Sequence, residues 1–355
     1  MEVDVVVVGG GPAGCSNALA LRARGLSVAI IASTKRREKP TETAAPVLVE
    51  FLRSLGATEA LHACEPCFGI CSSWGRTDPT LTSSMMNPFG NAWFIHRERF
   101  DFCMQQAARL AGATWIDADA QAVDFDADGL FVKTADKSLR ARWITIATGS
   151  PAWAARMTHQ TPSILDSFFA VWAHVPGSLE GRLLFVEPTD YGWWYACPGD
   201  REGTIVGLVT DSMSVRALGA TQAYGWNSLF QQTTLAGQLR GDISTTGVHS
   251  TNVRLAILPQ KQGPRWITVG DSAMTLDPLG SSGTVTALDS GRRAAGVIAD
   301  MLQGKTVNVT DGNHTAYSRW SDRLANTFYQ QRIRHYAVET SRRSGSFWAR
   351  REKHY

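Results

Sequence analysis

Three glycines, Gly9, Gly11 and Gly14, lie in GGGPAG between an apolar run and a helix-like stretch. At that spacing the first glycine makes a tight turn and the second lets backbone approach a pyrophosphate. The third permits close helix–strand packing, and the helix N-terminus, with Ala13 in its first turn, favours the phosphate charge. A second group, Cys64, Cys67 and Cys71 in CEPCFGIC, offers sulfur at metal-like spacing. A structural zinc site wants a fourth ligand at similar spacing, and His62 sits in a cramped position two residues before Cys64. The three read as small buried thiols, so no metal is expected. A third group is GWWYACP, residues 192–198. Successive side chains of a strand alternate faces, so Trp193, Trp194 and Tyr195 cannot all look the same way. Core and pocket are both open readings for each of them, and for Trp74.

The elements around these residues give them context. VDVVVV (3–8) is a continuous β-branched run that fits a strand buried on both faces. GGGPAG and the helical CSNALALRARG follow, and SVAIIAS (27–33) is the next buried strand. A glycine fingerprint is meaningful only inside such a unit. Helical patterns recur at 45–56 and 97–113, and short strands at TWIDA, AVDFD and LFVKTA, with DADG as a turn between the last two. ARWITIATGS (141–150) reads as another buried strand. From about 156 to 261 strand-like runs alternate, with one helical insert near 220–239. WITVGDS then leads through DPLGSSG into a long helix, and apolar residues after 313 step at helical spacing.

The second strand ends at Ala32, where an acid for an adenosine ribose is expected. Ser33 and Thr34 can bond a ribose oxygen, though more weakly than a carboxylate. Lys35, Arg36 and Arg37 would suit a 2′-phosphate and hence NADP. This end of the sequence therefore leaves the dinucleotide open.

Composition narrows the classes. The 355 residues are 44% hydrophobic and 19% charged with net charge +3, which fits a folded chain with a sizeable core and gives no sign of a nucleic-acid partner. No run approaches the ~18 apolar residues of a membrane span. The N-terminus runs straight into a buried strand and does not read as a signal peptide, so a cytoplasmic protein with six reduced cysteines is expected. The sequons NVT (308–310) and NHT (313–315) carry no meaning without secretion.

GDSAMTLDPLGSSGT (270–284) decides the dinucleotide. It resembles the second FAD fingerprint of the group A flavoprotein monooxygenases, geranylgeranyl reductases and flavin-dependent tryptophan halogenases. The resemblance implies that Asp271, after Gly270, holds the ribityl chain and that Pro278 lies against the isoalloxazine. Gly283 and Thr284 would then turn helix-start amides to the N1/O2 edge, where negative charge develops on reduction. Arg97 in RERFD is similar to the arginine that closes over the cofactor in this group. PTETAAP (40–46), with Glu42, is similar to its Gly-Glu segment, Thr41 standing for the glycine. ATG, ending at Gly149, is similar to the strand end under the adenine half. His96, beside Arg97, reads as a surface or hydrogen-bond-satisfied histidine rather than a base.

Within that superfamily SSWG (72–75), GWWYACP, DPLGSSG and YAVET…FWARR (336–351) look like the halogenase branch. GWWYACP resembles Gly-Trp-x-Trp-x-Ile-Pro, with Tyr195 for the second tryptophan and Cys197 for the isoleucine. Two departures stand out. Halogenation needs a lysine, and residues 62–95 contain none; tryptophan halogenases also carry a glutamate where this chain has Gly280. The chain is most similar to the lysine-lacking relatives that hydroxylate peptidyl tryptophan in quinone cofactor biogenesis. That resemblance implies an α/β protein: a glutathione-reductase-type Rossmann FAD-binding domain with an inserted β-rich substrate domain and C-terminal helices. Its expected division is 1–58, 92–155 and 262–310 for FAD, 59–91 and 156–261 for substrate, and 311–355 for the helical segment. The implied reaction is hydroxylation of an electron-rich aromatic, free or as tryptophan in a peptide, through a flavin C4a-hydroperoxide, with Trp74, Trp193, Trp194, Tyr195 and Pro278 around it. Reducing equivalents would come from a flavin reductase or NAD(P)H. The alternatives are a halogenase with displaced catalytic groups, a C=C reductase, or a flavin-binding assembly protein without turnover.

Overall fold

The computed structural model describes residues 1–34, 38–199, 203–304 and 316–352. Lys35, Arg36 and Arg37, weighed above for a 2′-phosphate, and both sequons lie outside these residues. The chain opens with β1 (Glu2–Val8), α1 (Pro12–Arg22), β2 (Val28–Ile31), β3 (Glu42–Ala44) and α2 (Leu48–Ser54). Next come β4 (Cys64–Cys67), β5 (Gly69–Ser72), β6 (Thr80–Ser83), β7 (Ala92–Ile95) and α3 (Arg97–Leu110). They are followed by β8 (Thr114–Ile116), β9 (Ala122–Phe125), β10 (Leu130–Lys133), β11 (Ser138–Ile146) and α4 (Pro151–Thr158). The middle of the chain holds β12 (Ser163–Val175), β13 (Ser178–Leu179), β14 (Leu183–Thr189), β15 (Gly192–Pro198) and β16 (Thr204–Thr210). After α5 (Ser212–Leu218) and α6 (Ala223–Phe230) come β17 (Leu239–Arg240), β18 (His249–Ile257), β19 (Gln262–Gly263) and β20 (Trp266–Thr268). Three helices close the chain: α7 (Gly283–Leu302), α8 (Ala316–Thr340) and α9 (Ser346–Glu352).

The first sheet runs β19-β20-β11-β1-β2-β8, with β10 on β11 and β9 on β10. Its centre is parallel: Val8 of β1 pairs with Ile31 of β2 on one side and with Ile146 of β11 on the other. The valines of β1 are divided between two cores. Val5 and Val7 face α1, α3 and α7, whereas Val3, Val6 and Val8 face the side of α4. Burial on both faces is why this strand reads as an unbroken apolar run. Helices α1 and α7 lie close because Gly291 admits the Ala13 carbonyl; a Cβ there would sit 2.4 Å from it. Ser16 and Asn17 of α1 bond the Leu288 and Gly291 carbonyls of α7 at 2.6 and 2.9 Å.

The second sheet runs β18-β12-β16-β15-β14-β5-β6, antiparallel except where β14 meets β5. Its longest strand, β12, has no clean alternation in SILDSFFAVWAHV, and its register slips between Ile164 and Asp166. The helical insert begins at Ser212, earlier than the expected 220, because Asp211 caps α5 through the amides of Met213 and Ser214. A small sheet, β3-β7-β4, brings the Glu42 strand and the Cys64 strand onto opposite sides of β7. Among the described residues no helix is long and apolar enough to cross a membrane.

Candidate flavin site

Parallel strands β1, β2 and β11 end together, and the glycine turn sits on their C-terminal edge. Gly9, at φ +113, approaches β11 so closely that a Cβ would lie 2.1 Å from the Ala147 carbonyl oxygen. Gly14 is equally constrained, since its Cβ would lie 2.0 Å from the Gly9 carbonyl oxygen. Gly11, between them, faces open space, with nothing within 4 Å of the position a Cβ would take. Two glycines thus serve packing and one clears a phosphate-sized approach at the N-terminus of α1. Gly270 packs on Ala13, and the Gly149 amide donates to Ser272 Oγ at 3.1 Å. This joins the Gly149 strand end to the 270–284 segment.

A carboxylate from another strand end stands beside the end of β2. Asp117, just past β8, accepts from the Thr34 amide at 2.7 Å and from Thr34 Oγ1 at 2.6 Å. Ser33 is the residue before. Sequence reasoning passed over Asp117 because the signal is register: Ile31 pairs with Ile116, which sets the residues beyond them side by side.

At the other end of the cradle, Glu42 bridges two elements. One oxygen pairs with Arg97 Nη1, and the other accepts from Thr284 Oγ1 at 2.9 Å. Arg97 also bonds Asp101 at 3.2 Å, and Lys39 reaches the same carboxylate at 2.7 Å. Burial works against the Arg97 charge, but Glu42 and Asp101 more than offset this and raise its pKa. Asp271 stands in this cluster. Burial first, and then the Glu42 charge, push its carboxyl up to about 7 against the pull of Arg97 and Lys39. It is a buried acceptor suited to hydroxyl donors. His96 is buried rather than on the surface; Nε2 lies 3.1 Å from Glu65 Oε1 and Nδ1 3.4 Å from Thr41 Oγ1.

Pro278 opens a short 3-10 turn ending at Gly280, capped by Asp277 through the Leu279 amide at 2.9 Å. Ser281 follows at φ +46, its hydroxyl accepting from Thr43 Oγ1 at 2.5 Å. Helix α7 then starts at Gly283 with no side-chain cap, and the buried Ser282 hydroxyl has no partner among the described residues. Orphan amides and an orphan hydroxyl at a helix start are what an anionic ring edge requires.

The aromatic strand resolves into two faces. Trp194, wholly buried, packs between Trp226 and Phe230, each 5.4 Å away between centroids. Of the core and pocket readings, its surroundings are those of core: it faces the helices of the insert. Trp193 and Tyr195 look the other way, into a cluster with Leu279 of the Pro278 turn and Tyr336 of α8. The Trp193 indole donates to the Tyr336 hydroxyl at 3.2 Å. Trp74 packs edge-on to Tyr336 and Trp348, and its indole donates to the His335 carbonyl at 2.8 Å. Both indoles dock the C-terminal helices. Tyr195 lies over Gly207, where a Cβ would come 2.3 Å from its ring. Its hydroxyl alone of the four has no hydrogen-bond partner among the described residues, and burial raises its pKa.

The three cysteines of CEPCFGIC stand on β4 and β5. Cys64 and Cys67 thiols point to the Ala60 and Gly69 carbonyls, and burial pushes Cys64 up to about 12. Among the described residues no three His, Cys, Asp or Glu side chains gather as metal ligands.

Residues 3–170 match the profile of the pyridine nucleotide-disulphide oxidoreductases. The tryptophan 2-halogenase of Chondromyces crocatus is 25% identical over 94% of this chain and 69% of its own. The solved structure of CmlS, a flavin-dependent halogenase, superposes with a TM-score of 0.86 at 24% identity, covering 99% of this chain and 68% of that one. The peptidyl tryptophan dihydroxylase QhpG, essential for tryptophylquinone cofactor biogenesis, gives a TM-score of 0.81 at 22% identity over 99% and 79%. The fold is that of the flavin-dependent halogenases and hydroxylases. FAD is the cofactor this fold and this cradle accommodate: Gly11 leaves room for a pyrophosphate, Asp271 offers a buried acceptor, and α7 offers free amides.

Proposed function

We propose that the chain is a flavin-dependent monooxygenase hydroxylating an electron-rich aromatic ring, with tryptophan in a peptide as the first substrate class. The observation that carries this is the absence of a lysine from all seven strands of the substrate sheet, whose Trp193–Tyr195 face meets the Pro278 turn. Of the described lysines, Lys39 is tied to Asp101 in the ribityl cluster and the buried Lys261 to Asp322 at 2.5 Å. A side chain at position 280 would meet Ser282 Oγ at 3.4 Å and Phe328 of α8 at 3.8 Å, so an acid placed there would address α8.

FAD, when bound and reduced by a flavin reductase or NAD(P)H, would supply the redox chemistry that activates O2. Asp271 would accept from its ribityl hydroxyls, Glu42 and Arg97 brace Thr284, and the first amides of α7 would oppose negative charge at the ring edge. The aromatic face of β15 would exclude water and orient the substrate ring toward the flavin. We assign residues 1–58, 92–155 and 262–310 to the FAD domain, 59–91 and 156–261 to the substrate domain, and 311–355 to a C-terminal helical segment. The name of QhpG supports a peptidyl tryptophan substrate. Halogenation is the second reading, favoured by the names of the halogenase relatives.

The test is aerobic turnover with reduced FAD, a tryptophan peptide or free tryptophan, and excess bromide, read by mass spectrometry. Gain of oxygen without bromine is the expected result. Bromination that persists when free hypobromite is scavenged would sink the proposal.

A further inference from the structure

A chain of buried charges linking β12, α8 and α9 converges on the Pro278 turn. Asp277 Oδ1 accepts from the Leu279 amide, and its Oδ2 accepts from Arg332 Nε at 2.9 Å. Arg332, only 8% exposed, extends Nη2 to Asp166, which also takes Arg351 Nη2 at 3.0 Å. Asp166 stands at the register slip of β12. Tyr336 Oη lies 3.5 Å from Asp277 Oδ1 and receives the Trp193 indole N–H. Arg332 and Arg351 stack on rings as well, Arg332 4.7 Å from the Tyr336 centroid and Arg351 3.7 Å from that of Phe347. Helices α8 and α9 thus grip the Pro278 turn, β12 and β15 together.

A buried network of this kind is a weak source of stability, because well-packed apolar residues of the same size do as well or better. What it supplies is one geometry, since each member is bonded on more than one side. The segment it holds is the turn whose next residues, Ser281 in the left-handed region and Ser282, start α7. A shift of that turn re-aims the α7 amides, and amide dipoles act on developing charge only where they point at it.

We infer that Asp277 and Arg332 are a positioning pair: through them the C-terminal helices hold the Pro278–Ser282 turn and the α7 amides against the flavin edge, and so set the reduction potential of the bound flavin. This rests on the flavin site, and is independent of the choice between hydroxylation and halogenation. Loss of the pair leaves the anionic reduced flavin less well stabilised, which makes its potential more negative.

The experiment uses the full chain reconstituted with FAD, and reads the midpoint potential by dye equilibration and the FAD dissociation constant by fluorescence. The variants are Arg332→Met and Asp277→Asn. Lys261→Met serves as control, because it breaks another ion pair of α8, between buried Lys261 and exposed Asp322, while leaving the turn's own contacts intact. Arg332→Met and Asp277→Asn are expected to move the potential negative and to weaken FAD about tenfold. Lys261→Met should lower Tm and leave the potential at the wild-type value. If Arg332→Met does not fold, Asp277→Asn carries the test, since it keeps an acceptor for the Leu279 amide. Wild-type potential and affinity in both turn variants, with Tm lowered as in the control, would overturn the pair. Wild-type protein that binds no FAD would overturn the flavin site along with it.

Discussion

The two ends of the flavin cradle are held by different physics. At the pyrophosphate end, backbone meets backbone: Gly9 lies against Ala147 and Gly14 against Gly9, with no room for one carbon atom. At the ring end the contacts are side chains and charges, Glu42 on Arg97 and Thr284, and Asp277 on Arg332. The first arrangement turns on six residues of chain, Gly9 to Gly14, set against the end of β11. The second draws on Glu42, Arg97, Asp271, Asp277 and Arg332, spread over nearly three hundred. Steric closeness tolerates no substitution, whereas charge contacts can be weakened by degrees and answer to pH.

Gly14→Ala should show the largest effect. Its Cβ would fall 2.0 Å from the Gly9 carbonyl oxygen, which backbone cannot yield cheaply. Overpacking of about 3 kcal/mol corresponds to loss of FAD affinity by roughly two decades. Near-normal titration of FAD by this variant would break the contrast between the two ends.

Asp271→Ala comes next. Removing a desolvated charged acceptor costs ~1.5 to 3 kcal/mol, or about one to two decades in the FAD dissociation constant. The bound flavin should remain non-covalent and leave the protein on acid precipitation. An unchanged constant would mean that the ribityl chain lies elsewhere.

The pH response sharpens the comparison further. Asp271 is raised to about 7 in the folded flavin-free protein, so the native state holds a proton that the unfolded chain releases at lower pH. The stability this group contributes is complete below its unfolded pKa and is lost as pH rises through about 7. Tm of the flavin-free protein should fall across that window, and Asp271→Asn should flatten this part of the curve. FAD hydroxyls favour the carboxylate form, so FAD binding should tighten as pH rises over the same window. Identical Tm profiles for wild type and Asp271→Asn would remove the carboxyl from the account.

The smallest structural effect is expected for Tyr195→Phe. With no hydrogen bond to lose, stability and FAD affinity should stay within about 0.5 kcal/mol of wild type. A fall in product formation at unchanged FAD affinity would place the hydroxyl at the substrate; full activity would leave Tyr195 a wall residue.

What the sequence determined by itself is local. VDVVVV followed by GGGPAG dictates a doubly buried strand, a turn that only glycine can make and a helix start, because the reasons lie within a few residues of one another. The order of GDS, DPLGSSG and a helix likewise placed Asp271, Pro278 and Gly283 on one segment. Tertiary structure alone decided the rest. Alternation forced the neighbours in GWWYACP apart, but only the arrival of Trp226 and Phe230 made Trp194 core. Register alone set Asp117 beside Thr34 at the end of β2, and the hold on the Pro278 turn came from Arg332, fifty-five residues beyond Asp277. Side-chain pairing at such separations leaves no period or spacing in the chain, because a charge in a sequence does not say which distant partner desolvates with it.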